Sequence, residues 1–575
     1  MQSHTTEEIE RTESADREGE YRIFGPPGTG KTTYISRQVE HAVQRFGADQ
    51  IMVTSFSRAA AAELAGRDLG LPDGAVGTLH SHCYRALGSP LIAELHVKAW
   101  NEEYPSHRIT PGNKSRLDDS GMDDRETGEH KGDAMLMRAN ERRARLVAER
   151  YWPRDLQEFW HAWQDYKRSL NLMDFTDMIE NALNDVHLAP GAPAVIFADE
   201  AQDLTPMQLK LIRRWGEHAT YFILAGDDDQ LIYPHLGCTP EGLLDPPLGP
   251  ERSIVLGQSY RVPSAVQEFA ERWIQNVMRR QPKHYLPRVA AGTIERSPIQ
   301  ASVNGLQPLA RILADARDAH ESLMILTTCN YQLHPILNRL REIGVPFHNP
   351  YRRSNPQWNP LVRRKGGAID RMRALLAAHP ACGGRFWTQE ELLKVVDWMA
   401  AGAPKDWPKE KEWVSPLIYG AKAWLKKNAV AGQRATAEML RQVFTPEALG
   451  GLVDAFEGPP GMLTKWWSER LAGDHQPTLR FPLRVAEQRG GLEALDEEPS
   501  VIVGTIHSVK GGEADRVLLF PDLSPAGWED FTSGGRDHGV RVFYVGITRA
   551  RDRLILARPV GQLGVAWSPN AYRRQ

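Results

Sequence analysis

Gly25-Pro26-Pro27-Gly28-Thr29-Gly30-Lys31-Thr32 is the stretch that decides the fold. Four free positions lie between Gly25 and Gly30, and a Lys-Thr pair follows, which is the pattern of a phosphate-binding loop. Glycines let backbone amides turn inward and approach phosphate oxygens closely, and a helix starting there points its positive end at the same anion. The flanks agree with that reading. Tyr21–Phe24 is an apolar run of strand type, and Thr32–Phe46, with Thr33 in its first turn, has the pattern of a helix. Lys31 is expected to bridge the β- and γ-phosphates of ATP, and Thr32 to hold Mg²⁺.

Working outward, such a loop needs a carboxylate on a neighbouring strand. Val195-Ile-Phe-Ala-Asp199-Glu200 offers one at a strand end. Asp199 is the second expected Mg²⁺ ligand, and Glu200 the group that orients or deprotonates the attacking water. Further strands are predicted at Gln50–Thr54, Ala194–Ala198 and Tyr221–Ala225, and later at Leu323–Thr327, Val501–Thr505, Val517–Phe520 and Leu554–Ala557. Two parallel α/β units separated by inserted material follow from that spacing. The first insertion is predicted to carry helices at Ala134–Arg150 and Asp155–Ser169 after a charged, turn-rich stretch, 101–133, part of which is expected to be mobile. The second holds eight of the sixteen tryptophans and reads as helical.

Composition sets limits. A chain of 575 residues with 41% apolar and 25% charged residues exceeds one core and suits three or four domains. A net charge of −3 confines any nucleic-acid surface to a local patch. Cys83, Cys238, Cys329 and Cys382 are too dispersed for a zinc knuckle and read as thiols of a reducing cytosol. The acidic N-terminus lacks a signal core, and no long apolar run predicts a membrane span, so a cytoplasmic location is expected.

The remaining segments carry a resemblance. Asp199-Glu200-Ala201-Gln202-Asp203 resembles the DEXQD segment of the UvrD/Rep family of superfamily 1 helicases, and the family's other segments follow in order. Thr54-Ser-Phe56-Ser-Arg58-Ala59-Ala60 resembles TFTNKAA, Gly77-Thr78-Leu79-His80-Ser81 resembles GTFH, and Asp174-Phe175-Thr176-Asp177 resembles LDFxDL. Gly226-Asp-Asp-Asp-Gln230-Leu-Ile-Tyr233 resembles GDDDQSIY, and Leu256-Gly-Gln-Ser-Tyr260-Arg261 resembles LxxNYR. Thr505-Ile-His507-Ser-Val-Lys510-Gly-Gly512-Glu513 resembles TxHxxKGLE, and Tyr544-Val-Gly-Ile-Thr-Arg549-Ala550 resembles YVGxTRA.

The resemblance implies an ATP-dependent DNA helicase of α/β fold, with two RecA-like P-loop NTPase domains clamping ATP, each interrupted by a largely helical insertion. The division it implies is 1–92 with 190–262 (ATP-binding), 93–189 (inserted), 263–350 with 499–575 (second RecA-like), and 351–498 (inserted). Gln230 is expected to sense the γ-phosphate, Tyr260 to stack on adenine, Arg261 and Arg549 to reach the γ-phosphate from opposite sides, and Glu513 to contact the ribose. Placing Arg549 on the second domain makes hydrolysis depend on closure. Thr78, His80, Thr505 and His507 read either as loop residues or as phosphate contacts, and Phe56 and Tyr233 either as core aromatics or as base-stacking residues. Arg58, His235 and Lys510 complete the expected DNA contacts. Partners implied are single-stranded DNA, single/double-strand junctions, and repair or replication proteins whose identity the sequence does not give.

Departures from the family pattern are specific. GPPGTGKT replaces AGAGSGKT and is commoner in the Upf1-like branch and in AAA+ ATPases. The adenine-reading glutamine before the loop has only Gln2 as a counterpart. Pro234-His235-Leu236 stands where the family has Trp-Arg, which suggests looser coupling, and Gly512 stands where it has leucine. Movement 3′→5′ along single strands is the expected polarity. A translocase that displaces proteins with little unwinding, or a nucleotide-regulated DNA-binding or loading module, are the alternatives.

Overall fold

The computed structural model describes residues 19–56, 58–67, 69–112, 130–353, 355–382, 386–400, 414–472, 475–489 and 491–568, with the side chains of 58–60 and 63 excepted. Gln2 and most of the stretch expected to be mobile within 101–133 lie outside them. The chain divides into two compact units: the described parts of Met1–Ile294, Pro525–Leu554 and Ala566–Gln575, and the described parts of Glu295–Ser524 with Ile555–Val565.

The first unit is built on six strands: β1 Glu20–Phe24, β2 Ile51–Ser55, β3 Val76–Thr78, β4 Val195–Asp199, β5 Tyr221–Gly226 and β6 Ser253–Val255. Their order is β3-β2-β4-β5-β1-β6, and all five pairings are parallel. Apolar side chains on one layer, among them Ile23, Ile35, Val39, Ile51, Val53 and Phe197, form the core beneath the helix Lys31–Phe46. In such a sheet the loops after the strands gather at one edge, where ligands bind. Gly25, Ser55, Thr78 and Asp199 are all at strand ends there.

The insertion in this unit holds helices Lys131–Ala144 and Arg154–Ser169 around Trp100, Trp160 and Trp163. The first of these starts and ends earlier than its sequence suggested. Asp133 lies in the first turn, and its carboxylate accepts from the backbone N–H of His130, fixing the start. Arg143 and Lys167 are buried ions paired with Asp174 and Asp177, which ties both helices to the helix Phe175–Asp185 leading into β4.

The second sheet holds β7 Thr293–Arg296, β8 Leu323–Thr327, β9 Val501–Thr505, β10 Ala514–Leu519 and β11 Ala550–Leu556, in the order β7-β11-β10-β8-β9; the first residues of β7 and β11 fall in the first unit and the rest of the sheet in the second. β10 and β11 begin earlier than their apolar runs because Asp515, Arg516, Asp552 and Arg553 interrupt the hydrophobic signal. The second insertion is helical. Its helices Ala368–Leu376, Gln389–Asp397 and Pro460–Ser468 pack around the fully buried Trp387 and Trp467. Among the described residues no helix is long and apolar enough to cross a membrane.

Candidate functional site

The loop after β1 folds as its glycines require. Gly28 and Gly30 both adopt positive φ, 72° and 73°, where a side chain is strained. Gly28 also lacks space: a Cβ there would stand 2.4 Å from Arg261 Cβ. Pro26 accepts from both the backbone N–H and the hydroxyl of Thr29, closing the turn. The segment Gln258–Pro263 holds the loop from outside. The fully buried Ser259 donates its hydroxyl to the Pro27 carbonyl, and the backbone N–H of Tyr260 donates to the Gly28 carbonyl. Tyr260 itself is 70% exposed, an open ring beside the loop. Ser259 escaped sequence reading because one serine ahead of two expected site residues, Tyr260 and Arg261, carries no signal.

Lys31 opens the following helix, and its Nζ donates to Glu200 Oε1 at 2.6 Å while lying 3.0 Å from Asp199 Oδ1. Burial opposes the ammonium charge, but the two carboxylates outweigh it, and the Lys31 pKa is raised. Burial also pushes the Asp199 carboxyl up, against the pull of Lys31. Asp199 Oδ2 is buried and accepts no hydrogen bond among the described residues. An orphaned carboxylate oxygen costs free energy unless a cation or donor meets it. Glu200 is a non-glycine residue with φ 53°, a conformation that persists where the surroundings enforce it.

From Glu200 a hydrogen-bonded chain leads on. Gln202 Nε2 donates to Glu200 Oε2, and Gln202 Oε1 accepts from the backbone N–H of Asp227 at 2.9 Å. Gly226 is small for this reason, since a Cβ there would stand 2.4 Å from Gln202 Oε1. Gln230 Nε2 donates to Asp227 Oδ2 at 2.8 Å, and Arg549 Nη2 donates to Gln230 Oε1 at 3.1 Å. Arg549 is 1% exposed, and its Nε donates to the Val545 carbonyl. It lies in the first compact unit, at the end of the helix Arg536–Ile547 that packs on Ser264–Ile274, and so shares a unit with Lys31. Trp273 contributes to that packing through its indole N–H bond to the Val540 carbonyl.

Three successive carboxylates, Asp227 to Asp229, are buried beside this chain. Lys283 Nζ meets all three, at 3.0, 2.5 and 2.9 Å, and Arg280 makes a two-pronged contact with Asp229. Burial pushes the Asp228 carboxyl up to about 6, whereas Asp229 is held below its ordinary value because Lys283 and Arg280 overcome the burial. Two cations balance the charge of this cluster. Lys283 and Arg280 do so from a segment that gave no recognisable signal in the sequence.

The expected DNA contacts differ in their settings. Thr78 and Thr505 stand at the ends of β3 and β9, and each accepts from the backbone N–H of a serine three residues on, Ser81 at 3.2 Å and Ser508 at 3.3 Å. His80 is half-buried, edge-on to Phe175, and burial pushes its imidazole down to about 4. Phe56 and Tyr233 are 6% and 3% exposed and stack on each other, with centroids 5.8 Å apart. In this structure both rings are packed in the interior, which leaves little π-face for a base. His235 is exposed, edge-on to Tyr233. Arg58 opens the helix Arg58–Ala65, but its side chain is outside the described residues. His507, Lys510 and Glu513 are partly exposed in the second unit, after β9.

A parallel sheet, a glycine loop, and a lysine paired with two carboxylates at the neighbouring strand end define a P-loop nucleotide-binding α/β protein. Residues 6–246 match the UvrD/REP helicase N-terminal domain, and residues 484–558 match the UvrD-like helicase C-terminal domain. The chain belongs to the UvrD/Rep family of superfamily 1 helicases. It is similar to the ATP-dependent DNA helicase UvrD2 of Mycobacterium tuberculosis, 25% identical over 93% of this chain and 76% of that protein. It is also similar to the putative ATP-dependent DNA helicase YjcD of Bacillus subtilis, 23% identical over 40% of this chain and 33% of that one. A probable DNA helicase II homolog of Mycoplasma capricolum is 22% identical over 47% of this chain and 41% of its own length.

Proposed function

We propose that this chain is a cytoplasmic ATP-dependent DNA helicase that moves 3′→5′ on single-stranded DNA and opens duplex. The observation that carries it is the continuous chain Lys31–Glu200–Gln202–Asp227–Gln230–Arg549, which joins the phosphate loop to a buried arginine. ATP binding draws Lys31 from its two carboxylates to the β- and γ-phosphates. Glu200, released, accepts the proton of the attacking water. Loss of the Lys31 bond to Glu200 also loosens Gln202, so that occupancy of the loop reaches Gln230 and Arg549. Arg549 and Arg261 then stabilise the charge that develops on the transferred phosphoryl group.

Asp199, with its orphaned Oδ2, and Thr32 fit a divalent cation; Mg²⁺, when bound, would neutralise charge on the phosphate oxygens. Tyr260 offers an open ring for the adenine, and Glu513 is assigned to the ribose. The four-part division at 92, 190, 262, 350 and 498 belongs to the same reading. Thr78, His80, Thr505, His507 and Lys510 are the proposed phosphate contacts. Their sequence-independent chemistry suits a motor that must grip any base.

The experiment is ATP hydrolysis measured with single-stranded DNA, single-stranded RNA and duplex side by side, then unwinding of 3′-tailed and 5′-tailed substrates. Stimulation by single-stranded DNA and opening of the 3′-tailed substrate are expected. Opening of only the 5′-tailed substrate would reverse the polarity, and protein displacement without strand separation would favour a translocase.

A further inference from the structure

Gly512, which stands where related sequences have leucine, is occupied from outside. A Cβ built on it would lie 2.4 Å from Tyr351 Oη and 2.5 Å from Tyr351 Cζ. Its φ is not in the left-handed region, so the position needs glycine for space and not for backbone freedom. Tyr351 therefore fills the volume that a side chain at 512 would take. Tyr351 as a residue is 39% exposed.

The segment carrying Tyr351 is fastened to the turn after β9. Asn349 is fully buried, and its Nδ2 donates to the Val503 carbonyl at 2.8 Å and to Ser508 Oγ at 3.2 Å. Its Oδ1 accepts from the backbone N–H of Tyr351 at 3.0 Å. His348 extends the pairing along β9, donating its N–H to the Val501 carbonyl and accepting from that of Val503. Asn359 Oδ1 accepts from the Asn349 N–H, and the buried Trp358 anchors the far end. A single side chain, Asn349, thus fixes the Tyr351 backbone to the same turn that holds Thr505 and His507.

Cations crowd the solvent face of this segment. Arg352, half-buried, and Arg353, exposed, follow Tyr351 directly, and Lys510 lies on the turn that the segment is fastened to. The balance is unlike that of the chain as a whole, whose net charge is −3. An open aromatic ring on a rigid support, flanked by cations, is the arrangement that holds single strands: the cations track the backbone while a base stacks on the ring.

We propose that Tyr351 is a base-stacking contact for single-stranded DNA, seated on Gly512 beside the turn Thr505–Lys510. The proposal rests on the reading above that this turn meets phosphates, and it adds a π-face in the second unit, while Phe56 and Tyr233 stack on each other in the first.

The test compares binding of an oligo-thymidine strand and an abasic strand of equal length at fixed salt, for wild type, Tyr351→Leu and Tyr351→Phe. Tyr351→Leu is expected to lose about 5- to 100-fold on oligo-thymidine, the range of one stacking contact, and less than about 2-fold on the abasic strand. Tyr351→Phe should stay near wild type on both. Equal losses on both strands, or none on oligo-thymidine, overturn the proposal. Should Tyr351→Leu fail to fold, photocrosslinking of a 5-iodouracil strand to wild type decides: adducts at Tyr351 support stacking, and adducts only elsewhere exclude it. Wild type that binds no single-stranded DNA instead defeats the broader helicase reading.

Discussion

The two sheets repeat one order with different ends. Read from the edge strand, β3-β2-β4-β5-β1 in the first unit corresponds to β9-β8-β10-β11-β7 in the second. On both edge strands the same five-residue device appears, Gly77-Thr-Leu-His-Ser81 and Gly504-Thr-Ile-His-Ser508. In each the threonine oxygen accepts from the serine N–H, and the serine hydroxyl donates back to the threonine carbonyl, at 2.7 and 2.8 Å. In each the glycine is required by that serine, because a Cβ would stand 2.4 or 2.3 Å from its Oγ. At the next-but-one strand the resemblance ends. Asp199 pairs across from Ser55 on β2, whereas β10 runs into the fully buried Phe520. β1 leads into the glycine loop, whereas β7 is a short, mostly exposed strand. A shared sheet order positions loops; the residues at the strand ends decide which loop does chemistry. Here one nucleotide site accompanies two copies of the turn proposed to meet DNA.

The sharpest way to break this comparison is to remove a group tied to the nucleotide site of the first sheet through Gln230. Arg549→Ala should lower DNA-stimulated ATP turnover by about 10³–10⁵-fold, as loss of an arginine that stabilises phosphoryl transfer does. Steady-state hydrolysis at saturating ATP reads it, and a loss below about 10-fold would remove Arg549 from the site.

Next in size is the carboxylate cluster, which the second sheet lacks at the matching place. Lys283→Met leaves three buried carboxylates with Arg280 alone. Breaking a buried ion pair costs about 3–5 kcal/mol. Denaturant unfolding should show that loss, and a change under about 1 kcal/mol would mean the carboxylates are protonated or wet.

His82 sharpens the comparison by pH, since it lies on the first device's helix. Arg85 can only donate to His82 Nδ1, so Nε2 carries the proton toward the Val53 carbonyl and the ring is held neutral. Burial pushes its pKa down to about 4 from 6.5. Above pH 6.5 both folded and unfolded chains are neutral there, and no stability is lost. As pH falls from 6.5 toward 4 the unfolded chain gains a proton that the folded one refuses. That difference amounts to about 3 kcal/mol at the lower limit. His82→Asn should flatten the fall in stability across this window, and an unchanged slope would mean the ring is protonated when folded.

The smallest effect tests the duplication itself. Thr78→Val and Thr505→Val each remove one capping oxygen, worth about 1 kcal/mol of stability. If both turns meet phosphates, each should also weaken single-strand binding at fixed salt while leaving its salt dependence unchanged, because a neutral hydroxyl releases no counterion. A change in only one variant would show that the two turns are alike in structure but not in use.

Much of this was legible in the sequence for a physical reason. Gly28, Gly30, Lys31, Asp199 and Glu200 form the pattern that a fixed ligand shape demands, so spacing alone announces them. Thr78 and Thr505 were visible through short ordered segments. Lys283, Arg280 and Ser259 act through contacts distant in sequence, and a lone lysine or serine has no pattern. Phe56 and Tyr233 show the converse: an aromatic in a recognisable segment reads equally as core or contact until its burial is known. Gly512 looked like a plain departure until Tyr351, 161 positions earlier in the chain, was found in its place.

The account's central claim is that Glu200 activates water for a DNA-driven ATPase whose glycine loop and carboxylates stand at the strand ends of the first sheet. The most direct measurement is single-turnover ATP hydrolysis on single-stranded DNA by wild type and Glu200→Gln, with ATP and DNA binding followed in the same samples. The account predicts unchanged binding and a hydrolysis rate about 10²–10⁴-fold lower in the variant. Hydrolysis near the wild-type rate in Glu200→Gln would contradict it.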